Sequence, residues 1–151
     1  MSFPKNFLWG ASSSAHQIEG GYAEDGRGLS IWNYYEHNSD HTKYCETGDV
    51  SADQYHHYKE DVALMKRIGL KSYRFSISWS RVLPEGAGEI NEAGLSYYSN
   101  LVDELKANDI EPLVTIYHWD LPWALQQQGG WDNPKIVEWF EEYTDVVTKR
   151  L

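Results

Sequence analysis

The chain has 151 residues, with 23 acidic side chains against 13 Lys and Arg, 41 % hydrophobic residues and 15 % aromatic ones. That length suits one domain with its own core. The net charge of −10 argues against nucleic acid, whose affinity comes from basic side chains, and the aromatic content argues against disorder. Cys45 has no second cysteine to pair with. No basic segment with an apolar run of about 7–15 residues opens the chain, and no run nears the roughly 18 apolar residues of a membrane span. A cytoplasmic protein that binds neither nucleic acid nor membrane is the expectation.

In chain order, residues 7–11 form a first candidate strand. A long irregular loop over 12–50 follows. Ser51, with Gln54 three residues on, matches a capping box, and Tyr55, Tyr58, Val62, Met65 and Ile68 then recur at helical steps up to Gly69, which suits a left-handed cap. Residues 72–78 alternate Tyr73, Phe75 and Ile77 with Arg74, Ser76 and Ser78 as a second strand. A helix from near Asn91 puts Leu95, Tyr98, Leu101, Val102 and Leu105 on one stripe. Residues 112–118 are a nearly continuous apolar third strand. Asn133 as cap and Pro134 in the first turn open a third helix, whose buried face is Ile136, Phe140, Tyr143, Val147 and Leu151.

Strands alternating with helices predict successive βα units, a parallel sheet and right-handed crossovers. The segments leading from strand to helix (12–50, 79–90 and 119–133) are long, and the returns are short. In such folds ligands sit where strands end and helices begin, so the chain places its length on that face.

Five tryptophans fall in those segments: Trp32, Trp79, Trp119, Trp123 and Trp131. Indole walls with a few polar groups suit a sugar, although any one of them can equally be loop packing. Gln17, just after the first strand, can hold two adjacent hydroxyls through its amide or can serve as a turn cap. His118, followed by Trp119 at the end of the third strand, is a candidate hydroxyl ligand or a satisfied buried group. Arg74 within a strand requires a nearby carboxylate, as an ion pair or a catalytic acid. His37, His41, His56, His57 and Cys45 show no zinc spacing. Residues 85–88, Glu-Gly-Ala-Gly, read as a flexible loop and not a phosphate cradle, so neither metal nor cofactor is expected.

The run Phe3-Pro4-Lys5-Asn6-Phe7-Leu8-Trp9-Gly10-Ala11 through Gln17-Ile18-Glu19-Gly20-Gly21 resembles the N-terminal signature of glycoside hydrolase family 1, the β-glucosidases and their relatives. Gly48-Asp49-Val50 with Tyr55 and Lys59-Glu60-Asp61, Tyr73 to Trp79, Leu83-Pro84-Glu85-Gly86, and Tyr117-His118-Trp119-Asp120-Leu121-Pro122 with Gly129-Gly130-Trp131 extend the resemblance along the whole chain. It implies the first three βα units of a (β/α)8 TIM barrel, an incomplete barrel of parallel strands with outer helices. It also implies retaining hydrolysis of β-D-glucosides or galactosides. By resemblance, Gln17, His118 and Trp119 match positions that bind sugar hydroxyls, and Arg74 matches the arginine that orients the nucleophile. Glu19 and Asp120 look structural. The family's two catalytic glutamates lie in motifs this sequence does not contain, so the chain alone is expected to be inactive and to bind sugar only weakly. Unpaired strand edges further lead us to expect a homo-oligomer, or pairing with the remainder of a barrel.

Overall fold

A computed structural model describes residues 2–38 and 42–151. Its centre is a three-stranded parallel sheet in the order β1 (Gly10–Ser12), β2 (Ser72–Ser76), β3 (Glu111–Thr115). Gly10 pairs with Ser72 and Ser12 with Arg74, while Ser72 to Ser76 run beside Glu111 to Thr115. Each crossover carries a long helix: α3 (Gln54–Ile68) between β1 and β2, and α5 (Glu92–Ala107) between β2 and β3. Helix α7 (Ile136–Arg150) follows β3. The layout is that of consecutive βα units, with β1 and β3 as the two edges.

All three strands are shorter than the sequence pattern predicts. Residues 7–9 leave the first one because Phe3, Phe7 and Trp9 pack on one another, with ring centroids 4.6–4.7 Å apart. The Trp9 carbonyl still accepts the Lys71 and Ser72 N–H groups at 2.8 and 3.2 Å, but the regular strand begins only at Gly10. The predicted capping box at Ser51 is also corrected. Ser51 has φ +50° and donates its hydroxyl to the Gln17 carbonyl, and α3 starts at Gln54 after Asp53, itself left-handed at φ +54°. Gly69 does take the left-handed cap, its N–H donating to the Lys66 and Met65 carbonyls. Asn133 accepts from the Lys135 backbone N–H at 3.0 Å across Pro134, one turn ahead of the regular start of α7.

Among the described residues, the span predicted as irregular loop holds two α-helices, α1 (Ala15–Ile18) and α2 (Ile31–His37), and a 3-10 turn at Lys43–Cys45. Helix α2 has a reciprocal capping box between Ser30 and Asn33. Short helices α4 (Trp79–Val82) and α6 (Trp123–Gln126) start just beyond β2 and β3. These pieces lock together above the strand ends: Ile31 N–H donates to Leu121 O and Trp123 N–H to Leu29 O, each at 2.8 Å.

The core lies between the sheet and its helices. Tyr73 and Phe75 from the middle strand and Ile77 just after it meet Val62 of α3, Leu95, Tyr98, Leu101 and Leu105 of α5, and Ile136, Tyr143 and Val147 of α7. Phe140 and Leu151 pack partly against it, as the helical stripe predicts, whereas Ile68 ends its stripe exposed. Trp79 is wholly buried, stacked on Tyr143 at 4.7 Å, with its indole N–H on Gly86 O. It belongs to the core, not to an exposed aromatic wall. The segment read as a flexible loop is likewise held: a Cβ on Gly86 would come within 2.3 Å of Leu125, and Gly88 N–H donates to Glu142. No helix among the described residues is long and apolar enough to cross a membrane.

Candidate functional site

Beyond the strand ends lies a cavity of about 350 Å³ lined by Ser14, His16, Gln17, Trp32, Glu36, His118 and Trp119. The fold delivers these residues from three places. After β1, Ser13 N–H donates to Arg74 O and Ala15 N–H to Ser76 Oγ, so the start of α1 is tied to β2 and turns Gln17 outward. Helix α2 supplies Trp32 and, one turn on, Glu36. The turn after β3 supplies His118 and Trp119. Trp119 has φ +76° and is 69 % exposed, a backbone conformation that costs an indole residue energy and that this turn maintains.

The sequence-predicted ligands Gln17, His118 and Trp119 therefore share one cavity. Arg74 stands beneath it, half-buried on β2: its Nε–H donates to Thr115 Oγ1 at 2.9 Å, and Nη2 lies 3.3 Å from His118 Nδ1. The expected carboxylate is not there. Among the described residues Arg74 makes hydrogen bonds and no ion pair, because its neighbours on β3 and beyond are a threonine and a histidine.

Sequence reasoning missed the opposite wall. His16 Nε2 lies 2.8 Å from Glu36 Oε1, and Glu36 Oε2 accepts the Gly48 N–H at 2.9 Å, so that carboxylate is held at both oxygens. The signal for this wall was the Ser30–Asn33 pair. Reading it as a cap places a helix at 31–37 and puts Trp32 and Glu36 on one face. The remaining loop tryptophans pack locally: Trp123 stacks on Tyr34 at 3.6 Å, and Trp131 contacts Tyr117 and donates to its hydroxyl.

Under the cavity sits a buried polar layer. Glu19 accepts from Arg81 Nε at 3.0 Å and from the Tyr98 hydroxyl at 2.6 Å, while Arg81 Nη2 donates to Gly20 O and its guanidinium lies 4.1 Å above the Tyr55 ring. Burial raises the Tyr98 hydroxyl well above its ordinary value, and the Glu19 charge adds to this. Asp120 is also wholly buried, and its carboxyl is pushed up to about 6 by that burial and by the charge of Glu19. Burial lowers Arg27 from the usual guanidinium range, opposed by the attraction of Glu19. Neither acid is among the residues lining the cavity.

Among the described residues no group of three or more His, Cys, Asp or Glu side chains is arranged to hold a metal. His56 is bound by Asp53 and Glu24, and His57 by Glu60. His41 lies outside the described residues.

A family model described as glycosyl hydrolase family 1 matches residues 1–151. β-Glucosidase A of Acetivibrio thermocellus is 50 % identical over the whole chain, which covers 34 % of that protein. An aryl-phospho-β-D-glucosidase of Bacillus subtilis is 52 % identical over 99 % of the chain and 32 % of its own length. A family 1 β-glucosidase from Thermotoga maritima superimposes with a TM-score of 0.96 at 49 % identity, covering 98 % of this chain and 33 % of that one. The enzyme from that organism solved with deoxynojirimycin gives a TM-score of 0.95 at 49 % identity, over 98 % and 34 %. The chain spans about a third of the length of these relatives.

Proposed function

The chain belongs to glycosyl hydrolase family 1, and on that footing we propose that its 151 residues supply one wall of a β-glucoside site, with Gln17, His118 and Trp119 as the first sugar-binding residues. The observation that carries this is their convergence on one cavity that also presents the Trp32 indole. The Gln17 amide offers a donor and an acceptor to neighbouring hydroxyls, the Trp119 N–H a donor, and the indole faces cover the apolar C–H side of a pyranose. The inhibitor-bound relatives support a sugar as the ligand.

Retaining hydrolysis of a β-glucoside or β-galactoside uses two carboxyl groups about 5–5.5 Å apart, one acid/base and one nucleophile. Among the described residues the cavity wall presents a single carboxylate, Glu36, already engaged by His16 and Gly48. The chain alone therefore binds sugar weakly and does not turn it over. Arg74 is the group that orients a nucleophile brought by further strands, and its guanidinium, held by Thr115 and His118 without an ion pair among the described residues, is available for that. Edges β1 and β3, with the exposed Phe3, Leu8, Trp9 and Leu113, are the surfaces on which the remainder of a barrel, or a second copy of the chain, would pair.

The test is an aryl β-glucoside assay on the purified chain, alone and with the remaining two-thirds of a family barrel, beside a glucose titration. We expect saturable glucose binding lost in His118→Ala, and turnover only in the completed barrel. Turnover by the chain alone that survives Glu36→Gln, or glucose binding indifferent to Gln17→Ala and His118→Ala, contradicts the proposal.

A further inference from the structure

Arg74 sits on the middle strand, in register with Ser12 on one side and Leu113 on the other, and its carbonyl accepts the Ser13 N–H at 2.9 Å, so its backbone has little freedom. Its side chain is held at two points. Nε–H donates to Thr115 Oγ1 at 2.9 Å on β3, and Nη2 reaches His118 Nδ1 at 3.3 Å just past the end of that strand. Together these fix both the plane and the reach of the guanidinium.

A guanidinium has five N–H donors, no acceptor, and does not lose its proton in a protein. The contact between Nη2 and Nδ1 thus has one workable assignment. Nη2–H donates and the Nδ1 lone pair accepts. Were the ring proton on Nδ1, two N–H groups would point at each other across 3.3 Å. A neutral imidazole carries one proton, and if Nδ1 accepts, that proton is on Nε2.

We infer that Arg74 locks neutral His118 in the Nε2–H tautomer and so makes the ring nitrogen left to the cavity an obligate hydrogen-bond donor. Arg74 is then a positioning residue for a ligand contact, besides any part it plays toward a carboxylate. The consequence for ligand choice rests on the sugar-site reading: the atom set against Nε2 must be an acceptor, such as a hydroxyl oxygen, and an ammonium placed there meets a donor. The tautomer itself does not depend on that reading.

The experiment is long-range ¹H–¹⁵N correlation NMR of the histidine rings in the purified chain at pH 8, with His118 assigned by its disappearance in His118→Gln. Wild type is expected to show an unprotonated Nδ1 and a protonated Nε2 with no averaging between tautomers. Arg74→Met is expected to shift both nitrogens toward the averaged values of exchanging tautomers, and Arg74→Lys, which restores a cationic donor, to move them back. An averaged or Nδ1-protonated pattern in wild type overturns the inference without recourse to any variant, as does a folded Arg74→Met with the wild-type pattern. Glucose added to the same samples separates the two claims. A locked tautomer with no response at His118 leaves this inference standing and removes the sugar site, whereas a His118 response in a chain with mixed tautomers does the reverse.

Discussion

Replacing Glu19 by alanine removes a carboxylate that joins the segment after α1 to Arg81 of α4 and Tyr98 of α5. The side chains of Glu19 and Arg81 are 3 % and 1 % exposed, so Arg81 would be left as a buried cation. Breaking a buried pair from one side costs about 3–5 kcal/mol. Two features favour the lower end: Nη2 keeps its bond to Gly20 O at 2.9 Å, and the Tyr55 ring remains 4.1 Å beneath the guanidinium. One pushes the other way, because the buried Tyr98 hydroxyl loses its 2.6 Å acceptor, worth roughly 1 kcal/mol more. The expected loss is about 3–5 kcal/mol, or about 6–20 °C in Tm for a chain of this size. Urea unfolding followed by tryptophan fluorescence measures it, with Glu19→Gln as an intermediate that keeps an acceptor oxygen and loses the charge. In a double-mutant cycle with Arg81→Met the two losses should overlap by more than about 1 kcal/mol. A loss below about 1 kcal/mol for Glu19→Ala, or strict additivity with Arg81→Met, refutes the reasoning.

Other outcomes follow from single sites. Asp120 titrates at about 6 in the fold, against an ordinary 3.8, so the native chain holds that proton more tightly than the unfolded one. Its contribution is most favourable at low pH and is lost as pH rises through that window, by about 3 kcal/mol. Asp120→Asn should therefore gain on wild type by about 2 kcal/mol between pH 4 and pH 7.5 in Tm-against-pH curves, and a constant difference would sink the point. Tyr143→Phe leaves the Ile116 carbonyl without its 2.6 Å donor and should cost about 1–2 kcal/mol in urea. Gly86→Ala forces a left-handed alanine at φ +84° to within 2.3 Å of Leu125, whereas Gly88→Ala, at φ +86°, meets nothing within 4 Å. The first should lose about 1–3 kcal/mol more than the second.

The alternation of helix and strand, the core stripes of α5 and α7 and the three sugar-site candidates could be read from the residues, because each rests on a local period or on a motif at a strand end. Much of what escaped reading was decided by contacts distant in sequence. Ser51 and Gln54 satisfy the spacing of a capping box, but the Ser51 hydroxyl is taken by the carbonyl of Gln17 and the helix begins later. Ser30 and Asn33 do form such a box with asparagine in the glutamate position, and with that helix unseen the His16–Glu36 wall had no scaffold. Trp79 shows the same limit, since its place in a strand-to-helix segment does not reveal that Tyr143, far along the chain, stacks on it. The charge of Arg74 within a strand points to a carboxylate partner, whereas β3 and the turn after it give it Thr115 and His118 instead.

The measurement closest to the central claim is an NMR titration of the purified chain with glucose, reading the His118 ring, the Trp119 indole N–H and the Gln17 amide together. The account predicts that all three move along one saturable curve and that the curve is lost in His118→Ala, while the indole of the buried Trp79 stays still. Three stationary signals at the highest soluble glucose concentration, or movements that do not share one affinity, would contradict a sugar site built from these residues.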